Sequence, residues 1–132
     1  MSIELVTLVV RTYDEAIAFF VDVLDFTLVE DSPSLTNDGR PKRWVVVRPP
    51  MGETGLLLAE ADGHDQITAI GNQTGGRVGF FLRVANFDAT YQKMLDADVT
   101  FISLPREEPY GKVAVFCDIA GNRWDLLGPV SR

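Results

Sequence analysis

Hydrophobic and polar residues follow two different periods along this chain. Alternating, β-branched patterns predict strands at residues 3–10, 26–31, 42–48 and 55–58, and again at residues 77–84, 99–104, 112–118 and 123–127. A helical period predicts one helix from Thr12 to about Leu24 and another from Asn86 to Ala97. Thr12 forms a capping box with Glu15, and Asn86 is a favourable N-cap. The order of elements is therefore βαβββ in each half.

The second half repeats the first, and the repeat can be followed residue by residue. The matching positions are Val10 with Val84 and Asp14 with Asp88 at an offset of 74, Asp25 with Asp98 at 73, Lys42 with Lys112 at 70, and Leu57-Leu58 with Leu126-Leu127 at 69. An offset that drifts in one direction, inside elements of the same type, is typical of a duplicated module. Both helices end at an aspartate, which we expect to take a left-handed conformation. The chain is predicted to be one α+β domain, with modules at 1–60 and 77–132 and a polar linker at 61–76.

Composition and charge narrow the possible functions. A net charge of −7 without a basic face disfavours nucleic-acid binding. No apolar run reaches the ~18 residues of a membrane span, and the first ten residues do not resemble a signal peptide. We therefore expect a cytoplasmic protein without a membrane partner. The single cysteine, Cys117, excludes an internal disulfide and is expected to be a small core residue.

A charged loop is predicted just before the last hairpin. Its polar residues lie close to two prolines, which stiffen the backbone: Arg106, Glu107, Glu108 and Tyr110. We predict that Arg106, Glu107 and Tyr110, together with Asp125, are the candidate acid, base and orienting groups. The alternative is an exposed turn without a function. If this segment were a strand, Glu107 and Glu108 would face opposite ways and would not form a carboxylate pair.

Aromatic residues offer the walls of a pocket for a small molecule. Trp44, Phe80 and Trp124 are the candidates, with Tyr110 beside them and with Arg77 or Arg43 to meet an anionic group. The alternative is that these aromatic side chains are core residues, because alternation along a strand buries half of its side chains. Other catalytic patterns are missing from the sequence: no serine or cysteine has a plausible histidine base, and no phosphate-binding loop is present.

Three segments of the chain resemble a known family. They are LVTLVVRTYDEAIAFFVDVLDF, VGFFLRVANFDATYQKML and DIAGNRWDLL, and with the two βαβββ modules they are similar to the vicinal oxygen chelate superfamily. Glyoxalase I, bleomycin-resistance proteins and extradiol dioxygenases belong to that superfamily. The resemblance implies two modules that form a curved, half-open mixed β-sheet barrel with the helices outside. It also implies a homodimer with a small-molecule ligand.

The same resemblance implies where a divalent metal would be held. The ligand positions of the metal-dependent members fall on Leu5 and Leu56 in the first module and on Gly79 and Asp125 in the second. Three of these four residues have no donor atom, and one carboxylate cannot hold a divalent ion against water. We therefore expect neither a metal nor a cofactor. His64, the only histidine, lies in the linker and is expected to be solvated.

Three functions are compatible with these observations. The leading hypothesis is a metal-free protein of the bleomycin-resistance type that binds a small molecule in a concave sheet pocket. The second is a lyase, isomerase or dioxygenase of the superfamily that uses a relocated metal site or none. The third is a structural or interaction module.

Overall fold

The computed structural model describes residues 1–130 and divides into two compact units, Met1–Ile70 and Gly71–Arg132. Each unit contains one four-stranded mixed sheet, with helices in unit one and one helix among the described residues of unit two, so the predicted α+β class with two βαβββ modules is confirmed. Within residues 1–130, no helix has the length and hydrophobicity that a membrane span requires.

Unit one contains four strands and the first two α-helices. In chain order they are β1 (Leu5–Val10), α1 (Tyr13–Ala18) with a π-helical turn directly after it (Phe19–Val23), β2 (Thr27–Leu35), β3 (Pro41–Arg48), β4 (Gly55–Glu60) and α2 (His64–Ala69). The sheet order is β1-β4-β3-β2; β1 and β4 are parallel, and the other pairs are antiparallel. Helix α2 lies in the segment that the sequence predicts to be a linker without periodic structure.

The core of unit one lies between its sheet and α1. One face of the sheet buries alternate residues of three neighbouring strands, namely Leu8 and Val10, Val45 and Val47, and Leu56 and Leu58. Helix α1 and the π-helical turn bury Ala16, Phe19 and Phe20 against this face. Phe20 is completely buried, and burial of such a side chain contributes roughly 1.5–3 kcal/mol. The helical phenylalanines are therefore core residues.

Unit two repeats this arrangement, but its edge strand β6 is shorter than the edge strand β2 of unit one. Its elements are β5 (Val78–Arg83), α3 (Phe87–Asp96), β6 (Arg106–Glu108), β7 (Gly111–Cys117) and β8 (Arg123–Gly128), in the sheet order β5-β8-β7-β6. The buried residues of α3 are Phe87 and Met94, and those of the sheet include Ala114, Phe116, Trp124 and Leu126. The final hairpin, β7 and β8, has the strands that the sequence predicts.

The prediction of a strand at residues 99–104 is wrong. Only Phe101 forms a β-bridge there, with Phe116 of β7. The pairing stops because the hydroxyl of Ser103 accepts the hydrogen bond of the Val115 N–H, at 3.0 Å, in place of a backbone carbonyl. The second strand of the module is β6 instead, so Arg106–Glu108 is a strand and not the predicted loop.

Each module closes its helix with the predicted left-handed aspartate, and the structure explains the change in offset. Asp25 and Asp98 have φ angles of 60° and 61°. Asp14 and Asp25 are 11 positions apart, whereas Asp88 and Asp98 are 10 apart. The extra residue of unit one is contained in the π-helical turn, where the Leu24 N–H donates to the carbonyl of Phe19, five residues back.

A cation from the sheet fixes the start of the helix in unit one. The Arg43 guanidinium pairs with Asp14 at 2.9 Å and with both carboxylate oxygens of Asp31 at 2.7 and 3.0 Å. It also lies 5.0 Å from the centre of the Tyr13 ring. The first turn of α1 is thereby held against β3.

Unit two contains the same device with different residues. The Lys112 ammonium pairs with Asp88 at 2.7 Å and lies 5.6 Å from the centre of the Phe87 ring. Its structural counterpart in unit one is Arg43. The predicted match of Lys112 with Lys42 is therefore wrong by one residue.

The Arg43 ion pairs predict a specific response to acid. The hydrogen bond from Arg43 holds the pKa of Asp31 below its ordinary value of 3.8. A carboxyl with a lowered folded-state pKa stabilises the protein above its unfolded-state pKa, and that stabilisation is lost as the pH falls through the folded-state value. We expect Arg43→Met to be less stable than the wild type above pH 4, with a difference that narrows below it. Urea unfolding at several pH values measures this, with Lys42→Met as the control. A difference that does not change with pH would show that Asp31 is not responsible.

Candidate functional site

The sheet of unit two has one face turned away from α3, which we call the open face. Strand alternation buries Trp124 and Leu126 on the α3 side and places Asp125 and Leu127 on the open face, where both are half-buried. Phe81 of β5 lies on the same face and is 64% exposed. An exposed aromatic ring beside half-buried polar and apolar groups is a feature of ligand sites.

The register places three open-face residues in one row across the sheet. Asp125 of β8 pairs with Phe81 of β5 on one side and with Val115 of β7 on the other. Neighbouring strands are about 4.8 Å apart, so the ring system of a small-molecule ligand on this row would contact side chains of more than one strand. Burial raises the pKa of Asp125, and the charge of Arg106 partly opposes that shift.

Arg106 reaches the open face from the edge strand. It pairs with Val113, which is two residues from Val115 on β7 and therefore lies on the same face of the sheet. Its Nε donates to Glu108 at 2.8 Å, and this bond, with a smaller contribution from Tyr110, raises the pKa of Arg106. Tyr110 is 57% exposed.

The structure brings together three of the four predicted acid, base and orienting groups. Arg106, Tyr110 and Asp125 belong to the open face or its edge, whereas Glu107 pairs with Lys112 and faces the other way. Glu108 shares the face of Arg106, although the sequence analysis left it out of the site. Strand parity would have identified Glu108 if residues 106–108 had been predicted to be a strand.

The predicted pocket aromatics lie in different places. Phe80 stacks on Trp124 at 4.6 Å on the core side of the sheet, and Trp124 is 4% exposed. Trp44 is half-buried on the face of the unit-one sheet turned away from α1, and Arg77 is exposed just before β5. A ligand-contact role for these four residues stays a prediction. Phe81 was missed by the sequence analysis, although its alternation with Phe80 was the available signal.

The turn between β7 and β8 fixes the position of Asp125. The Asp118 side chain, 5% exposed, accepts hydrogen bonds of 2.9–3.0 Å at Oδ1 from the backbone N–H groups of Ala120, Gly121 and Asn122. Its Oδ2 accepts from the Asn122 amide at 3.3 Å and from the Trp124 indole at 2.8 Å. The carboxylate therefore holds the turn and the first residues of β8 in one arrangement.

The residue that corresponds to Asp125 in unit one is Leu57, and the predicted Leu56 is wrong. Asp125 pairs with Phe81 and Val115, and Leu57 pairs with Thr7 and Val46, which are their counterparts at the offsets of β1 and β3. Leu56 lies on the opposite, core face. The turn between β3 and β4 is one residue longer than the turn between β7 and β8, and this length difference causes the shift.

The four positions that the family resemblance assigns to metal ligands hold one oxygen donor, Asp125. Leu5 and Leu57 are aliphatic, and Gly79 has no side chain. A Cβ at position 79 would lie 2.6 Å from the methyl group of Thr74, so Thr74 fills the space that a ligating side chain there would need. Within residues 1–130, no three His, Cys, Asp or Glu side chains are grouped so that they could hold a metal ion.

Two other candidate groups lie apart from this row. His64 is exposed at the start of α2. Cys117 is half-buried, and burial raises the pKa of its thiol, which favours the unreactive protonated form.

Comparisons with known proteins agree with this fold. A protein of Shewanella frigidimarina (strain NCIMB 400), described as uncharacterized, is 49% identical over 128 residues, which are 96% of this chain and 92% of that protein. The crystal structure of UcmS2 is 30% identical with a TM-score of 0.78, and the match covers 96% of this chain and 97% of that one. TnmS3, an antibiotic binding protein from Streptomyces sp. CB03234, is 26% identical with a TM-score of 0.76, and the match covers 98% and 96% of the two chains.

The family model of the Glyoxalase/Bleomycin resistance protein/Dioxygenase superfamily matches residues 2–126. This range includes both βαβββ modules, the open face and the turn that Asp118 organises. The chain therefore belongs to the glyoxalase, bleomycin resistance protein and dioxygenase superfamily.

Proposed function

We propose that this protein binds a small molecule without a metal, in the manner of bleomycin-resistance proteins, and that the open face of unit two is its contact surface. The observation that carries the proposal is the row formed by Phe81, Asp125 and Val115, with Arg106 at the edge. The likeness to TnmS3, an antibiotic binding protein, supports the same class of function.

The row suits a flat ligand that has an aromatic ring and a hydrogen-bond donor. Phe81 offers an exposed ring for stacking, which contributes about 0.5–1.5 kcal/mol beyond the area that it buries. Asp125 is a half-buried acceptor for an amine or a hydroxyl group. Arg106 offers donors to a carbonyl or an anionic group.

The donor set supports binding without a metal. A divalent ion in a protein is held by about three or more donor atoms, and the inherited positions provide the single carboxylate of Asp125. The space beside Gly79 is taken by Thr74. The residues present therefore do not fit the metal of the metal-dependent relatives.

The remaining parts of the proposal concern assembly and location. We place the protein in the cytoplasm as a homodimer of single domains, in which residues 61–76 connect the modules 1–60 and 77–132. Trp44, Arg77, Phe80 and Trp124 remain secondary candidates for contact with the ligand. Gel filtration with light scattering tests the dimer.

An enzyme is the second candidate. The raised pKa of Asp125 beside Arg106 favours it, because an acid–base residue works best when its pKa is near the working pH. In that case Asp125 would transfer the proton, and Arg106 and Tyr110 would orient the substrate. Product formation from a bound compound, lost in Asp125→Asn while binding persists, would favour this candidate.

Titration with two antibiotics tests the binding proposal. The two compounds are bleomycin and daunorubicin, and daunorubicin has a flat ring system and an amine. We expect at least one of them to bind with a micromolar Kd, measured by isothermal titration calorimetry. Phe81→Ala and Asp125→Asn should each weaken binding by about tenfold, which is the loss of about 1.4 kcal/mol. Glu107→Gln is the matched control on the opposite face and should bind like the wild type. Failure of both compounds to bind would contradict the binding proposal. An equal loss of affinity in Glu107→Gln would overturn the choice of the open face as the site.

A further inference from the structure

Unit one contains a polar cavity of about 500 Å³ that shares no residue with the open face. It lies where the β2–β3 loop, the start of β3 and the end of β4 meet. Residues that line it include Tyr13, Arg40, Lys42, Glu60, Asp62 and Gln66. The volume is within the range of about 300–1,000 Å³ that is usual for small-molecule pockets.

One wall of the cavity is an ordered turn that is tied across to the opposite wall. The Thr36 N–H donates to the carbonyl of Arg40 at 2.8 Å, and the Arg40 N–H donates to the Thr36 hydroxyl at 2.9 Å. The Arg40 guanidinium then donates two hydrogen bonds to Asp62, at 2.6 and 3.1 Å, and its Nε donates to Asp38 at 3.0 Å. The hydrogen bond from the Thr36 hydroxyl, together with the one from Arg40, holds the pKa of Asp38 below its ordinary value, and the hydrogen bonds from Arg40 do the same for Asp62.

The floor and the far wall are also held by hydrogen bonds. One oxygen of Glu60, Oε2, accepts from the Tyr13 N–H at the start of α1, at 3.2 Å. Gln66 of α2 accepts from the Asp62 N–H at 2.8 Å through its carbonyl oxygen. Two alanines, Ala59 and Ala61, leave room between these polar groups. The cavity is therefore an ordered part of unit one.

The charges that remain in the lining have opposite signs. Asp38, Arg40 and Asp62 satisfy one another and carry a surplus of one negative charge. Among residues 1–130, the Lys42 ammonium has no ion-pair partner, and Glu60 uses only one of its two oxygens. A ligand matches this lining when it carries one positive and one negative group.

We propose that this cavity binds a small zwitterion of the amino-acid type. The ligand ammonium faces Glu60 and the surplus negative charge of the Arg40 cluster, and the ligand carboxylate faces Lys42. Hydrogen bonds between charged groups are the strongest polar contacts in a partly exposed site, which is why both ligand charges are needed. This site stands on residues of unit one alone and is independent of the function proposed for the open face.

Titration with free amino acids tests the proposal. The probes are the protein amino acids and glycyl dipeptides, each at millimolar concentration, followed by ¹H–¹⁵N NMR and thermal shift of the full chain. We expect at least one probe to move the backbone signals of Lys42, Glu60 and Asp62. Its N-acetyl and methyl-ester forms, which each lack one charge, should bind at least about tenfold more weakly.

Variants separate this site from a general surface effect. Glu60→Gln keeps an acceptor for the Tyr13 N–H, and it should weaken binding about tenfold, as should Lys42→Met. Glu53→Gln, in the turn at the other end of the sheet, and Phe81→Ala on the open face should bind the probe like the wild type. No binding of any probe, equal binding of the blocked forms, or an equal loss in Glu53→Gln would overturn the proposal.

Discussion

Replacement of Asp118 by alanine is expected to destabilise the protein by about 3–5 kcal/mol, because it removes an acceptor that is shared by five buried or half-buried donors. Hydrogen bonds to a charged group contribute about 1.5–3 kcal/mol each, and their contributions in one network are not additive. Without the carboxylate, the N–H groups of the turn and the Trp124 indole lose their partner at a site with little access to water.

Urea unfolding followed by tryptophan fluorescence measures this loss. Asp118→Asn keeps one acceptor oxygen for the three backbone donors but turns an amide N–H₂ toward the Trp124 indole, so an intermediate loss of about 2 kcal/mol is expected. Asp65→Ala, an exposed position on α2, is the control and should change stability by less than about 0.5 kcal/mol. A loss below 1 kcal/mol in Asp118→Ala would show that the network does not hold the turn.

Gly111→Ala is expected to cost about 3 kcal/mol or more, for two separate reasons. Gly111 has a φ of 133°, which side chains with a Cβ rarely adopt. The added Cβ would also overlap the carbonyl oxygen of Gly128, a backbone atom of β8 that cannot move away cheaply. The start of β7 and the end of β8 should therefore separate.

Gly75→Ala is the matched control for the first of these reasons. Gly75 has a φ of 67° and has no atom within 4 Å of an added Cβ, so it carries strain without an overlap. We expect it to cost about 1 kcal/mol, and the difference between the two variants measures the overlap with Gly128. Equal losses in thermal and urea unfolding would contradict the overlap.

The duplicated fold could be predicted because its signals are local. Capping residues, the helical period of the phenylalanines and the two closing aspartates each depend on a few neighbouring positions. The aspartates were expected in a left-handed conformation, and Asp25 and Asp98 adopt it. The family resemblance rested on the same segments, and the match over residues 2–126 confirms it.

Strand registers could not be predicted in the same way. Leu56, Leu57 and Leu58 are identical residues, so the sequence cannot indicate which of them faces the core; pairing with Val46 decides it. Residues 99–104 have a strand-like composition, but a side-chain hydroxyl at Ser103 ends the backbone pairing with β7. Composition does not reveal that competition.

The candidate site was predicted in part. Asp125 was identified because it ends a family motif. Arg106 and Tyr110 were identified because several charged and polar residues lie together there, close to two prolines. Phe81 and Glu108 depend on strand parity, which requires the correct strand at residues 106–108 and the pairing of β5 with β8. The polar cavity of unit one combines three parts of the chain that are distant in sequence, and no local pattern marks it.

The π-helical turn at Phe19–Val23 affects how the two halves of this chain should be compared. One half has a residue more than the other between equivalent points of its helix, yet the aspartate that follows has the same left-handed backbone in both halves. A gap in such an alignment therefore belongs inside a helix, a place where gaps are normally forbidden. Alignments of tandem modules that confine gaps to loops would assign the wrong partner to every position of the following turn.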